Sequence, residues 1–260
     1  AMLNPLSADL AVMRRTLLNG LLENVAFNVN RRNTDVKLFE FGKIYRKFNE
    51  IYEEKKCLGI VLSGNFNNES WTGNIRKASF SDLKGLVKQI FVRLNIHVTD
   101  ELAAKDDNFL DGIEFISGNK SLGKLGIITK KLAKTLGVNQ DTFFAQLDWD
   151  TIVKLANKNN LKYKEISKFP GSRRDLALLL DSTVKYEDLY KATKEVKSNL
   201  LKGVNLFDVY EGDKLPAGKK SYALSFVIQD ENKTLSDQEI DQLMNKLIKL
   251  YQDKFSAELR

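Results

Sequence analysis

The strongest constraint on the fold is a proline-glycine corner, Pro170-Gly171, that leads into a short apolar run from Leu176 to Leu180. Proline fixes its own φ angle and glycine adopts angles that other residues avoid, so the pair separates two elements. The run is stopped by Asp181-Ser182. Its length and bounded apolar character favour a buried strand, although a short helix shows the same pattern. On a strand, Arg173 and Arg174 would point to opposite faces of the sheet.

The residues after this strand alternate between helical and strand periodicity and predict the order β-α-β-β-α-β. A helix is expected at 186–197, a strand at 200–210, a turn reaching Gly218, a strand at 221–229, a second helix from 236 and a weak last strand at 255–260. Ser236 stands three residues before Glu239, which is the spacing of a capping box, and Leu235 and Ile240 have the spacing of a hydrophobic staple. The start of the second helix is therefore well defined.

Several motifs in this half resemble a known domain. They are Phe169-Pro170, Arg173-Arg174-Asp175-Leu176-Ala177, Leu206-Phe207-Asp208-Val209-Tyr210-Glu211-Gly212, Lys219-Lys220-Ser221-Tyr222-Ala223 and Lys233-Thr234-Leu235-Ser236-Asp237. Together they resemble the ferredoxin-fold anticodon-binding domain of the bacterial phenylalanyl-tRNA synthetase β-subunit family. Upstream, Asn4-Pro5-Leu6-Ser7, Met13-Arg14-Arg15-Thr16-Leu17-Leu18 and Leu38-Phe39-Glu40-Phe41-Gly42 are similar to the catalytic-like core domain of the same family.

The resemblance implies an α+β protein with two domains. Residues 1–160 would form a class II synthetase-like, inactive core with an antiparallel sheet and flanking helices. Residues 166–260 would form the ferredoxin-like βαββαβ domain, and the polar stretch 157–160 is the expected linker. In the first domain the periodicity predicts strands at 37–45, 57–63 and 143–149, a hairpin of 113–116 with 122–128, and helices at 81–95 and 130–136.

The net charge of +7 lies mostly outside the expected RNA-binding domain. Residues 166–260 contain 16 basic and 15 acidic side chains, a difference of +1, which leaves +6 for residues 1–165. RNA binding would therefore depend on local patches. The candidates for phosphate contacts are Arg173, Arg174, Lys219 and Lys220, and the candidates for base stacking are Tyr210 and Tyr222. Each has a structural alternative, because Arg174 can pair with an acidic neighbour and the tyrosines can be core residues.

The first element is predicted to be a helix from about Ser7 to Asn30, which Gly20 bends or breaks. Its main apolar stripe consists of Leu10, Met13, Leu17, Leu21 and Val25. Two interpretations stay open for this stripe. It packs inside its own domain or, as the resemblance implies, forms an interface with a catalytic α subunit.

Catalytic signals are weak. Gly118 to Lys124 matches a phosphate-loop spacing, but Leu125 replaces the Ser or Thr that binds Mg²⁺. His97 is the only histidine, and Asp106, Asp107 and Asp111 lack an EF-hand pattern, so we expect no metal site and no catalytic residue. The arginine of the class II Phe-Arg-x-Glu motif is missing from residues 39–42. Two alternatives are an independent ligase or editing activity in residues 1–160 and a purely structural scaffold for α subunits.

The resemblance also implies partners and a compartment. The implied partners are tRNA(Phe) and the α subunit, in an (αβ)₂ heterotetramer. This assembly would use ATP and Mg²⁺, and we expect this chain itself to bind no cofactor. A single cysteine, Cys57, fits a reducing compartment and a buried strand position. The sequence shows no 18-residue apolar run and no signal-peptide pattern, so we expect a cytoplasmic protein without a membrane segment.

Overall fold

A computed structural model describes residues 12–158, 163 and 165–260 of the chain. The chain divides into two compact units, Ala1–Lys162 and Tyr163–Arg260, which we call the first and second unit. Within the described residues, no helix is both long and apolar enough to cross a membrane.

The first unit is built on one six-stranded sheet in which every neighbouring pair is antiparallel. The strand order is β1-β2-β6-β5-β4-β3, so β1 and β3 are the edges. The strands are β1 (Val36–Phe48), β2 (Ile51–Ser63), β3 (Asp100–Ala103), β4 (Phe109–Ser117), β5 (Lys120–Ile128) and β6 (Thr142–Asp148). The predicted antiparallel sheet and its 113–128 hairpin are confirmed, whereas β3 was missed.

Helices cover both faces of this sheet and create two cores. The helices are α1 (Leu18–Val29), α2 (Phe80–Arg93), α3 (Lys130–Thr135) and α4 (Trp149–Ala156). Helices α1 and α3 pack on one face, around Val25, Val61 and Phe144. Helices α2 and α4 pack on the other, around Phe91, Phe115 and Leu147. The sequence prediction missed α4 because its short pattern continues directly from β6. Asn157, the first residue of the predicted linker, caps α4, while residues 159 and 160 lie outside the described part.

The prediction of a first helix from Ser7 is wrong for residues 12–17, since α1 begins at Leu18. The preceding segment bonds to the sheet instead. Tyr45 N–H donates to the Arg14 carbonyl at 2.9 Å, and the amide of Leu17 donates to Gln146 Oε1 at 2.9 Å. These bonds use backbone groups that a helix would need, so residues 12–17 are not helical although the apolar spacing includes them. Gly20 lies inside α1 and does not end it.

The second unit has the predicted order β-α-β-β-α-β. Its elements are β7 (Ser172–Asp181), α5 (Tyr186–Glu195), β8 (Leu201–Tyr210), β9 (Lys219–Ile228), α6 (Asp237–Phe255) and β10 (Glu258–Leu259). The sheet order is β10-β7-β9-β8, and all its pairs are antiparallel. The α+β class and the ferredoxin-like second domain are therefore confirmed.

Both helices of the second unit pack on one face of the sheet. Their buried residues, among them Leu189, Leu247 and Tyr251, meet Leu224 and Phe226 of β9 in a single core. The capping box at the start of α6 is confirmed, because Ser236 Oγ accepts from the Glu239 amide and the Glu239 carboxylate accepts from the Ser236 amide. The other face of the sheet, which we call the open face, is the one opposite α5 and α6.

Candidate nucleic-acid interface

Strand alternation separates the two neighbouring arginines of β7. Arg173 stands opposite Val227 and Arg174 opposite Phe226, which is a core residue, so Arg174 is on the helix-covered face and Arg173 on the open face. Arg174 Nη2 donates to Asp237 Oδ1 at 3.0 Å, at the first residue of α6. Arg174 therefore links the strand to a helix, as the structural alternative for this residue proposed.

A β-bulge in β8 determines where its aromatic residues point. Leu206 pairs with the core residue Leu224, but the register then shifts so that Asp208 pairs with Ala223 and Tyr210 with Ser221. Regular alternation would have placed Tyr210 on the same face as Leu206. The additional residue at the bulge reverses this alternation, and Tyr210 lies on the open face beside the bulge residue Phe207.

Two arginine–aromatic pairs lie on the open face. The Arg173 guanidinium carbon is 5.3 Å from the centroid of the Phe207 ring, and that of Arg260 is 5.6 Å from the centroid of the Tyr210 ring. Arg260 follows β10, where its amide donates to the Ala177 carbonyl at 3.1 Å. Both distances are within the range of a cation–π contact.

The middle strands carry mostly small residues on the open face. On β9 these are Ser221, Ala223 and Ser225, of which the two serines are buried, and on β7 they are Ala177 and the larger Leu179, opposite Ser221. The accessible aromatic and guanidinium groups of this surface are those of the two arginine–aromatic pairs. Such a surface can stack nucleobases and donate hydrogen bonds to their edges, which is how four-stranded sheets bind single-stranded RNA.

The charges of the open face largely compensate one another. Arg173 Nε donates to Asp175 Oδ1 at 2.8 Å, and the acidic Asp208 and Glu258 also occupy open-face positions. Lys219 is on this face, opposite Asp181. The geometry therefore favours stacking over bulk attraction of phosphates.

Three of the six predicted RNA-contacting residues are placed away from the open face. Lys220 and Tyr222 are both buried and share the helix-covered face with Leu224. The Tyr222 hydroxyl donates to the Val184 carbonyl at 3.3 Å, and Lys220 Nζ lies 4.7 Å from the centroid of the Tyr222 ring. Lys220 and Tyr222, like Arg174, are therefore on the face opposite a ligand bound to the open face. Arg173, Lys219 and Tyr210 are on that face.

The sequence prediction overlooked Phe207 and Arg260. Phe207 stands within the motif of residues 206–212, so the motif itself could have suggested it. In the structure its side chain is 49% exposed, which is unusual for a large apolar residue in a strand. Arg260 gave no usable signal, because its partner Tyr210 is 50 positions away and on the opposite edge strand.

The predicted interface residues of the first helix are mostly core residues. Leu17, Leu21 and Val25 are buried in the cluster between α1 and the first unit's sheet, which agrees with the alternative that the stripe packs inside its own domain. Met13 is 43% exposed. Leu10 lies outside the described residues.

The first unit contains a polar cavity of about 710 Å³ on the α1 side of its sheet. Its lining includes four cationic and three acidic side chains, namely Arg15, Arg46, Lys55, Lys124, Asp106, Glu114 and Asp148. Lys55 Nζ lies 3.9 Å from Asp148 Oδ2, and Glu114 accepts from Ser121 Oγ. Cys57 also lines it, but burial raises the pKa of the Cys57 thiol to about 11, so the thiol is protonated at neutral pH. The cavity is thus polar without an activated nucleophile.

The remaining catalytic candidates have structural explanations. Gly118 and Gly123 belong to the hairpin of β4 and β5, and a strand-turn-strand is not a phosphate loop. Asp106 accepts from the amide and side chain of Asn108 in a turn. His97 is exposed. Among the described residues, no group of three or more His, Cys, Asp or Glu side chains is placed to hold a metal ion.

Comparison with known families accounts for both units. Residues 167–260 match the family described as "Ferredoxin-fold anticodon binding domain". Residues 1–149, more than half of the chain, match "Phenylalanyl tRNA synthetase beta chain CLM domain". The chain belongs to the phenylalanyl-tRNA synthetase beta chain family. The order of the two matches along the chain is the order in which the sequence motifs of the beta chain family were found.

Curated relatives extend this similarity over the whole chain. The "Phenylalanine--tRNA ligase beta subunit" of Bacteroides fragilis is 43% identical over 271 aligned residues, which cover 100% of the chain and 33% of the relative. The protein of that name from Porphyromonas gingivalis is 36% identical, again over 100% of the chain and 33% of the relative. The chain spans about a third of the length of these beta subunits. Among solved structures, a pyrrolysyl-tRNA synthetase from Desulfitobacterium hafniense is similar with 11% identity, 56% coverage of this chain, 50% coverage of that chain and a TM-score of 0.43.

Proposed function

We propose that the chain is the carboxyl-terminal part of the beta subunit of phenylalanine–tRNA ligase and that its second unit binds the anticodon region of tRNA(Phe). The observation that carries this proposal is the pair of arginine–aromatic contacts, Arg173 with Phe207 and Arg260 with Tyr210, on one face of a domain that matches the anticodon-binding family. Unpaired bases of an RNA loop stack on exposed aromatic rings and guanidinium planes.

The mechanism of binding follows from the chemistry of this face. The rings of Phe207 and Tyr210 offer apolar surfaces to bases, and the neighbouring guanidinium groups can stack on or donate to the same bases. The chain contributes to aminoacylation by positioning tRNA, and the chemical step with ATP and Mg²⁺ belongs to the α subunit.

We further propose that the first unit contacts the α subunit in an (αβ)₂ assembly in the cytoplasm. The names of the relatives support a second kind of subunit, since each is called a beta subunit. On α1 and its preceding segment, Met13 and Phe27 retain exposed apolar surface, at 43% and 54%. They replace Leu17, Leu21 and Val25 as our candidates for contact by this helix. Mixing the chain with α subunit and measuring the mass by light scattering tests the assembly.

The test of RNA binding is a titration of a labelled tRNA(Phe) anticodon stem-loop with the chain, followed by fluorescence anisotropy. We expect saturable binding that unlabelled stem-loop displaces and that a duplex of the same length without a loop does not. Equal displacement by both competitors would contradict loop recognition. No binding of either RNA would contradict the proposed function of the second unit.

The alternative of an independent activity in residues 1–160 would need the polar cavity, because this cavity gathers cations that a nucleotide could contact. Arg46 is the residue to test, since it lines the cavity and is exposed. Exchange of labelled pyrophosphate into ATP by the chain alone, abolished by Arg46→Ala, would support this alternative over the proposed role.

A further inference from the structure

Two arginines of the first unit face its polar cavity without a partner. Tyr45 N–H donates to the Arg14 carbonyl at the edge of β1, and the residues that follow these two, Arg46 and Arg15, both line the cavity of about 710 Å³. In the part of the chain that the structure describes, neither guanidinium group forms an ion pair or a hydrogen bond. Two positive charges at one site repel each other, and an anion bound between them removes this repulsion.

The segment before α1 fixes a third donor group beside these arginines. Gln146 Oε1 accepts from Thr16 Oγ1 and from the Leu17 amide, both at 2.9 Å. A backbone amide can only donate, so the oxygen of the Gln146 side chain has to face Leu17, and its Nε2 group is left for the cavity. Among the described residues, no acceptor is bonded to Nε2. The N–H groups of Gln146 are therefore available to a ligand.

The carboxylates of the cavity, in contrast, are already bonded. Each accepts a hydrogen bond from a nearby residue, namely Asp106 from Asn108, Glu114 from Ser121 and Asp148 from Thr151. Two of them also have a cation close by, because Lys55 Nζ lies 3.9 Å from Asp148 Oδ2 and Lys124 stands opposite Glu114 on the adjacent strand. Among the described lining residues, the charged groups left unpaired are those of Arg15 and Arg46.

The unpaired donors fit the oxygens of linked phosphate groups. A guanidinium group presents paired N–H donors that bind phosphate in a bidentate manner. Two such pairs and the Gln146 amide offer about six N–H groups, whereas one phosphate monoester has only three free oxygens. The lining has four cationic and three acidic side chains, a net charge of +1, so binding would depend on these directed hydrogen bonds more than on bulk attraction.

We propose that this cavity binds a small molecule that contains a pyrophosphate group, held by Arg15, Arg46 and Gln146. The pyrophosphate is free or part of a nucleotide. Concave sites of this volume are typical of small-molecule ligands, whereas protein segments are usually bound in extended grooves or at strand edges. The inference concerns the first unit alone, so it stands or falls separately from tRNA binding by the second unit.

The direct test is calorimetric titration of the chain with inorganic pyrophosphate, without added Mg²⁺ so that only the chain's own donors bind the ligand. We expect a single saturable site. Inorganic phosphate and citrate should each bind at least about tenfold more weakly, because phosphate engages only part of the donor set and citrate carries its charge on carboxylates. No saturation by pyrophosphate up to about 1 mM, or equal affinity for citrate, would overturn the inference.

ATP distinguishes the two sources of the pyrophosphate group. Competition by ATP with a higher affinity than that of pyrophosphate would identify a nucleotide site. A lower affinity of ATP would identify free pyrophosphate as the ligand. Both results require that pyrophosphate itself saturates the site.

Arginine variants provide a matched control. Arg15→Ala and Arg46→Ala should each weaken pyrophosphate binding by about tenfold or more, because each removes a charge-assisted contact. Arg93→Ala removes the same side chain from an exposed position that lines the apolar groove beside α2, outside the cavity, and its affinity should equal that of wild type. Equal affinity of all three variants would overturn the inference.

Gln146→Glu tests the third donor group. The variant keeps an acceptor oxygen for the Leu17 amide and for Thr16, but it replaces the N–H donors with a negatively charged oxygen. Pyrophosphate binding at neutral pH should fall by at least about tenfold, with thermal unfolding as the measure of an intact fold. Unchanged affinity in the folded variant would overturn the inference. Arg15 and Arg46 are exposed, so their variants decide the question if Gln146→Glu does not fold.

Discussion

Arg260 and Tyr210 come from the two opposite edge strands of the second unit, yet the Arg260 guanidinium carbon lies 5.6 Å from the centroid of the Tyr210 ring. Two strands, β7 and β9, separate them. The Arg260 amide donates to the Ala177 carbonyl on β7, and Ala177 pairs with Ala223 on β9, so the Arg260 side chain starts beside two small side chains, while Tyr210 pairs with Ser221, two residues away from Ala223. The carboxyl-terminal residue is thus part of the candidate RNA-binding surface.

The first prediction concerns the open face. Tyr210→Ala should reduce the affinity for the tRNA(Phe) anticodon stem-loop by about 1–3 kcal/mol, the usual effect of losing one base–aromatic stack. Arg260→Ala should reduce it by about 0.5–1 kcal/mol, because the guanidinium group acts beside the ring. Fluorescence anisotropy with wild-type chain as reference measures both changes.

Arg174→Ala is the matched control for these variants. It removes the same type of side chain from the helix-covered face, where Arg174 pairs with Asp237. Its RNA affinity should equal that of wild type. A loss as large for Arg174→Ala as for Arg260→Ala would mean that the open face is not the binding surface.

The second prediction is a weak salt dependence of RNA binding. Acidic side chains share the open face with its cations, and Arg173 is paired with Asp175. Each phosphate neutralised on a single strand contributes about 0.7 to the slope of log K against log salt. We expect a slope of magnitude below about 2 in titrations at several salt concentrations. A steeper slope would indicate an extended basic surface elsewhere on the chain.

The third prediction concerns acid stability of α6. Hydrogen bonding to Lys233 and to Ser236 at the helix start lowers the pKa of Glu239 from 4.5 to about 2. A carboxyl group with a lowered pKa in the folded state stabilises the fold above its unfolded pKa, and this stabilisation is lost as the pH falls through the folded pKa. Wild-type α6 should therefore lose protection between about pH 4.5 and pH 2.

Glu239→Gln tests the origin of this loss. The variant lacks the titrating group, so the difference in amide exchange of α6 between wild type and variant should be constant above pH 4.5 and shrink toward pH 2. Other carboxyl groups affect both proteins equally and cancel in the difference. A difference that does not change with pH would exclude Glu239 as the cause.

The fourth prediction concerns the buried hydrogen bond between Thr193 Oγ1 and the Tyr251 hydroxyl, 2.5 Å apart in the core of the second unit. Tyr251→Phe should lower the free energy of unfolding by about 0.5–1.5 kcal/mol. The value stays small because Thr193 Oγ1 still donates to the Leu189 carbonyl at 2.7 Å. Urea unfolding followed by NMR signals of the second unit measures it.

Burial also makes the stability contributed by Tyr251 depend on pH. It raises the pKa of Tyr251 to about 12, so the stabilisation from the protonated hydroxyl is complete below pH 10 and is lost as the pH rises through 12. Wild type should lose stability more steeply than Tyr251→Phe over that range. If the free energy of unfolding falls equally with pH in wild type and in Tyr251→Phe, the Tyr251 hydroxyl is in contact with water.

The fifth prediction is that the chain alone does not exchange labelled pyrophosphate into ATP in the presence of phenylalanine. Its polar cavity lacks an activated nucleophile, and three of its four positive charges are offset by Asp148, Glu114 and Asp106. Exchange that Arg46→Ala abolishes would instead support an independent activity in residues 1–160. The α subunit mixed with full-length beta subunit is the positive control.

The order of helices and strands in the second unit could be predicted from the sequence, because periodicity, turns and caps involve residues that are close together along the chain. In β9 the alternate residues Tyr222, Leu224, Phe226 and Ile228 are all buried, as the period of a strand within the predicted range 221–229 allows. The sequence left two roles open for Tyr222, base stacking or the core, and its burial and its hydrogen bond to Val184 agree with the core. The sequence also predicts Lys219 and Lys220 together as phosphate contacts, whereas strand alternation places Lys219 on the open face and Lys220 on the helix-covered face.

The sequence by itself determined the family, the order of helices and strands in the second unit, the start of α6 and the division of Arg173 and Arg174 between two faces. These features depend on residues that are close together along the chain. Only the tertiary structure decided that Tyr210 reaches the open face, that Arg260 meets it from the opposite edge, that residues 12–17 bond to the sheet, and that β1 leaves Phe39 and Phe41 exposed. A bulge, a sheet order and a strand edge depend on pairings between distant segments, and such pairings leave no periodic pattern in the sequence.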